Sequence, residues 1–199
     1  MNVSVILKRF ALAAVVAALA SPVASLARDN HTAANMPTGS NFLTAADQIN
    51  LGEIELGKLA EQKGNNPAIR DFGKRMVADH SKLEAQLQSL AKSKGVNLPA
   101  QPASAVATLQ QQLSKDSGSQ FDQVYLQHML AGHKQAIDTF ENEIEHGQNT
   151  AYKSYAESAL PVIQDHIRIA EDVAGKMNLS GSAGLASPAK AIKASALPS

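Results

Sequence analysis

The chain has 199 residues, no Cys, and 18 basic residues against 18 acidic ones. That length fits one domain plus tails. The lack of Cys excludes disulfides and thiolate metal sites, so any metal must be held by His, carboxylate or Met. The near-neutral balance argues against a nucleic-acid footprint and against a polybasic membrane surface.

Lys8 and Arg9 form a short basic region, followed by the uncharged apolar run Phe10 to Ala20 and by Pro22. The run is too short to span a bilayer as a helix, and its order of parts is that of an export signal. Ser25-Leu26-Ala27 supplies the small cleavage residues. Residues 1–27 therefore read as a signal peptide cleaved after Ala27, with Ala20 and Ala24 as alternative positions. No Cys follows the run, which excludes a lipid anchor, and no later segment is apolar enough for a membrane span. The mature chain would carry 16 basic and 18 acidic residues, a net charge of −2. It reads as a soluble exported protein, most simply periplasmic. Residues 28–40, with His31, Pro37 and Gly39, lack periodicity and read as a flexible lead-in.

Four amphipathic helices follow. The first spans about Asn41 to Gly64: Phe42, Ile49 and Leu56 recur every seven residues, Ala45, Ala46, Leu59 and Ala60 fill the same face, and Glu53 lies on it. Glu55, roughly 200° around the axis, should be wet. Gly64-Asn65-Asn66 stops the helix, and Pro67 suits the first turn of the next. The second helix runs to about Ser93, with Ile69, Phe72, Met76, His80, Leu83, Leu87 and Leu90 in one stripe and Gly95 closing it. Val96 to Ser119 is a long connection, in which Val106, Leu109 and Leu113 predict a short helix across the bundle over 103–115.

The third main helix runs from about Ser119 to His146 with Tyr125, Met129, His133, Ala136, Phe140 and Ile144 inside, and His128 on the flank. The fourth spans about Thr150 to Met177 with Tyr152, Tyr155, Ala159, Ile163, His166, Ala170 and Val173 inside. Pro161 should kink it one turn before His166. The Gly, Ser, Ala and Pro composition of 178–199 reads as a disordered tail. Two tight turns and one long link between four long helices make an all-α four-helix bundle, and its two hairpins resemble a weak internal repeat.

Glu53, His80, His133 and His166 each fall near the middle of their helix. At about 1.5 Å per residue His133 and His166 are level to within a turn, His80 is near the same depth, and Glu53 is about a turn out of register. Three imidazoles and a carboxylate suit Zn²⁺, Fe²⁺ or Cu²⁺. Met76 and Met129, each one turn from a His, are additional thioether candidates that would favour Cu(I). Glu84 is a further carboxylate candidate, read by itself as a boundary residue paired with Lys or His. Asp79 and Asp165 directly precede a His and are better placed to orient a neighbouring helix's imidazole than their own. Asp122 reads as a first-turn acid favoured by the helix dipole. Protonation of the three His near pH 6 should release a bound metal. The standard ferritin-like dimetal site needs Glu-x-x-His on two helices. Val77, Leu130 and Ile163 stand three before the inward His residues, so that site is not expected. No nucleophile-and-base spacing and no phosphate loop are present, and no catalytic residue is assigned.

Phe42-Leu43-x-Ala45-Ala46, Glu53-Ile54-x-Leu56-Gly57-x-Leu59-Ala60, Met76-Val77-x-Asp79-His80, Phe121-Asp122-x-x-Tyr125, His133 and Leu160-Pro161-x-x-x-x-His166 resemble the bacterial domain-of-unknown-function family 4142. The resemblance covers about Asn41 to Met177. It implies an exported, ferritin-like helical bundle with recurrent Glu and His positions at Glu53, His80, His133 and His166, and it implies no established activity. Two functions follow. One is an exported protein that stores, buffers or senses a transition metal. The other is a non-catalytic envelope or stress protein whose inward His residues only specify packing. The oligomeric state stays open.

Overall fold

The computed structural model describes residues 36–177. Five helices follow in order: α1 Ser40–Lys63, α2 Pro67–Lys94, α3 Ser104–Leu113, α4 Gly118–His146 and α5 Thr150–Lys176. They begin and end within two residues of the bounds that periodicity predicts, because breakers and caps stand at those points. Asn66 caps α2, its side chain accepting from Ala68 N, and Pro67 occupies the first turn. Asn149 caps α5 in the same way by accepting from Ala151 N. At Gly95, φ is 67°, the left-handed conformation that ends α2. The proposed signal peptide, His31 and the tail 178–199 lie outside the described residues.

The long helices pair through two tight hairpins, α1–α2 and α4–α5, and the hairpins pack as α1 on α4 and α2 on α5. Phe42 at the start of α1 meets Phe140 near the end of α4, while Lys63 at the other end of α1 sits over Phe121. α1 and α4 are therefore antiparallel. Tyr155 early in α5 reaches the carbonyl of Leu83, and Phe72 earlier in α2 meets His166. α2 and α5 are antiparallel too, so α2 and α4 run parallel on a diagonal. The connection through α3 is the one long crossover that this direction requires. Val106 of α3 lies over Gly52 of α1, where a Cβ would stand 3.1 Å from it. α1 and α2 come close at Gly57 and Gly73; a Cβ on Gly73 would come within 2.7 Å of the Gly57 carbonyl.

α5 continues through Pro161 as one helix, with Pro161 on its exposed face. The expectation that Asp122 is a first-turn acid is corrected: Asp122 is the fifth residue of α4. It is fully buried and accepts from the backbone N–H groups of Asn65 and Asn66, both at 2.8 Å, tying the α1–α2 turn to α4. The end of the lead-in is also held: Gly39 N donates to Glu143, and Asn142 donates to the carbonyls of Met36 and Pro37. Among the described residues no helix is long and apolar enough to cross a membrane.

The core divides along the bundle axis. One apolar cluster holds Phe42, Leu87, Phe140, Tyr155 and Ile163. The other holds Leu56, Phe72, Met76, Tyr125, Met129 and Val173. Between them every long helix carries buried polar residues: Asn50 and Glu53, His80, His133, His166.

Candidate metal centre

Each imidazole reaches this belt by the helical spacing of its own stripe. His80 falls between Met76 and Leu83, His133 between Met129 and Ala136, His166 between Ile163 and Ala170. All three rings are almost fully buried, at 1%, 2% and 0% exposure. Their centroids lie 5.1 to 5.7 Å apart, and one nitrogen from each lies within 4.8 Å of the others. The three residues can hold a metal ion.

The hydrogen bonds fix the tautomers. His133 Nδ1 is 2.9 Å from the Met129 carbonyl, which only accepts, so Nδ1 carries the hydrogen. His166 Nε2 is 3.0 Å from the Asp79 carboxylate and donates to it. His80 Nδ1 is 3.0 Å from the amide oxygen of Asn50 and donates to that. The unprotonated nitrogens are then His80 Nε2, His133 Nε2 and His166 Nδ1. The last two face each other at 3.2 Å, and His80 Nε2 has no partner among the described residues. Two lone pairs at that distance repel unless a cation lies between them.

Burial keeps the rings neutral. It holds His80 well below its usual value, aided by the other two imidazoles, and lowers His133 to about 3. Burial also lowers His166, opposed by its bond to Asp79. Proton competition for these nitrogens is therefore shifted below the ordinary imidazole range. Burial pulls Asp79 upward, but the hydrogen bonds from Arg75 and His166 outweigh it and hold the carboxyl below the usual range.

Asp79 thus orients the imidazole of another helix, as its position in the sequence predicts. Asp165 does not; it pairs with Arg75 and Arg168. Glu53 stands beside the trio, its Oε1 3.5 Å from His133 Nδ1, the protonated edge of that ring. Burial pushes its carboxyl up to about 8, and Oε2 has no partner among the described residues. Met76 and Met129 lie in the neighbouring apolar cluster, and Met129 serves His133 through its carbonyl. Glu84 pairs with neither Lys nor His: it accepts from Asn50 at 3.2 Å and from Gln88 at 2.6 Å. His128 is exposed.

Asn50 and Asp47 are buried polar residues of α1 that the sequence pattern did not single out. Asn50 continues the spacing Ala46, Asn50, Glu53, Gly57, Ala60, alternately four and three apart, and that was the available signal.

The sequence model of the family described as "Domain of unknown function (DUF4142)" matches residues 24–173. Nothing among curated proteins or solved structures matches the chain.

Proposed function

The chain belongs to the DUF4142 family, and we propose that it is an exported protein holding one transition-metal ion in the middle of its bundle. The ligand atoms are His80 Nε2, His133 Nε2 and His166 Nδ1. One observation carries this reading: the hydrogens of all three imidazoles are committed to Asn50, the Met129 carbonyl and Asp79, the lone pairs left on His133 and His166 face each other, and His80 Nε2 is buried without a partner among the described residues. Tetrahedral bonds of about 2.0–2.1 Å set two ligand nitrogens about 3.3 Å apart. The separation of His133 Nε2 and His166 Nδ1 is 3.2 Å. Outward acceptors of this kind fix ring orientation and raise ligand basicity.

Three neutral imidazoles suit Zn²⁺, Cu²⁺ or Fe²⁺. Glu53 is the carboxylate that offsets the ion's charge, since a cation beside it favours the ionised form. The dry surroundings make this a holding site for storing, buffering or sensing an ion. A single long crossover is the connectivity that ferritin-like bundles use, which supports that placement of the fold. The residues that support export, Lys8 to Ala27, lie outside those described, and fractionation of cells with N-terminal sequencing of the mature chain tests it.

Metal analysis of the purified protein tests the centre. One equivalent in the wild type and none in His80→Ala/His166→Ala is the expected result. No metal in the wild type after reconstitution with Zn²⁺, Cu²⁺ and Fe²⁺ would overturn the reading and leave the imidazoles as packing.

A further inference from the structure

His80 can offer a metal only the nitrogen that its hydrogen does not occupy. That hydrogen goes to Asn50, and Asn50 is itself held. Its amide nitrogen lies 3.2 Å from Glu84 Oε2 and 3.2 Å from the Tyr155 oxygen. Tyr155 in turn donates to the carbonyl of Leu83 at 3.4 Å, so its oxygen is free to accept. Glu84 is fixed from its other oxygen by Gln88, which also donates to Asp47 at 3.1 Å. Asn50 and Asp47 are fully buried, and Glu84 and Tyr155 nearly so.

We propose that Asn50 is a positioning residue of the metal centre, and that Glu84 and Tyr155, by fixing its carboxamide, select the metal-binding tautomer of His80. The inference rests on the metal reading above. A carboxamide can turn over and exchange its oxygen and nitrogen at little steric cost. Here the turn would set the amide oxygen against the Glu84 carboxylate, two acceptors with no hydrogen between them. It would also aim the NH₂ group at His80 Nδ1. His80 would then carry its hydrogen on Nε2, the nitrogen assigned above as its ligand atom, and the third ligand would be closed. Glu84 acts on the centre from α2 through Asn50 on α1 and touches no ligand, and Tyr155 does the same from α5.

Nitrogen NMR of the full metal-free chain reads the tautomer of each His directly, and a Zn²⁺ titration of the same samples reads the consequence. The wild type is expected to show His80 with its hydrogen on Nδ1. Asn50→Leu, close in shape and without an acceptor, is expected to move the hydrogen to Nε2, leave His133 and His166 unchanged, and weaken Zn²⁺ binding about 10- to 100-fold. Asn50→Asp keeps the acceptor for His80 but sets its second oxygen against Glu84, so the double variant Asn50→Asp/Glu84→Gln, whose Gln amide can donate to that oxygen, should retain both the tautomer and the binding. Glu84→Gln removes no packing, and its own amide can pair with either face of Asn50. A second His80 tautomer should therefore appear, and this variant stands if Asn50→Leu does not fold. An Nδ1 hydrogen persisting in Asn50→Leu, or the Nδ1 tautomer alone in Glu84→Gln, would overturn the proposal. A wild type that binds no Zn²⁺ sinks the metal reading, while the NMR signal of His80 still decides the role of Asn50.

Discussion

Phe140 and His133 lie seven residues apart on one face of α4, yet they are held by different physics. Around Phe140 the core is filled by contact: its ring meets Phe42 edge-on at 5.1 Å and Tyr155 at 6.1 Å. Such packing rewards volume and is tolerant of direction. Around His133 each nitrogen needs a partner of defined kind, and the ring is fixed by the Met129 carbonyl on one edge and faces His166 on the other. An apolar end stabilises the bundle. A polar belt costs stability unless every atom is satisfied, and its persistence across four helices points to a use other than cohesion.

The comparison breaks most visibly if the belt is made apolar. Replacing His80, His133 and His166 together by Leu should abolish metal binding, at least a thousandfold in affinity, which is about 4 kcal/mol. Thermal stability should hold or rise, because exchanging a buried polar set for apolar residues of similar shape is often neutral or stabilising. Calorimetry beside metal titration checks both, and a collapse in Tm would make the belt a structural element instead. The converse cut is Phe140→Ala, expected to cost about 3–5 kcal/mol in urea unfolding and to leave metal stoichiometry unchanged. Loss of metal there would mean that the end cluster sets the belt's geometry.

A smaller effect sharpens the division inside the belt. Asp79→Ala removes the acceptor of His166 Nε2 at the half-exposed margin, so metal affinity should fall about 10- to 100-fold with little change in folding. Unaltered affinity would leave Asp79 as a partner of Arg75 alone. The smallest effect concerns pH. Burial pushes the Asp47 carboxyl from 3.8 up to about 6, with Glu84 adding to it and Gln48 opposing. The folded state then keeps a proton that the unfolded chain has lost. The stability this contributes is full below pH 3.8 and is lost as pH rises through about 6. Asp47→Asn lacks that loss. Its stability relative to the wild type should climb between pH 4 and 7, by on the order of 1 kcal/mol, and then level off. A difference independent of pH in denaturant titrations would show that Asp47 is ionised throughout.

Much of this was open to reading in one dimension. The stripe from Phe42 to Ala60, the turn at Gly64-Asn65-Asn66-Pro67 and the cap at Asn149 carry local signals, and the helices stand where those signals put them. Counting residues from the turns brought His133 and His166 to one level, and they meet there. Asp122 and Glu84 take partners that the pattern of one helix does not display: Asp122 accepts from Asn65 and Asn66 in the α1–α2 turn, and Glu84 accepts from Asn50 on α1 as well as from Gln88 on its own helix. Asn50 escaped notice because an Asn on a helix is ordinarily exposed, and only its position between Ala46 and Glu53 marked it as inward.

The sequence by itself determined the number of helices, their ends, their buried faces and the depth of the three imidazoles. These depend on a period of 3.6 residues and on turn chemistry, which neighbours in the chain decide. Only the tertiary structure decided that α2 and α4 run parallel, that Glu53 lies against the Nδ1 edge of His133, and that Asn50 holds His80. These depend on how far each helix is rotated and slid against the next. A shift of one residue turns a side chain by roughly 100°, and that choice is made by the packing of all four helices at once.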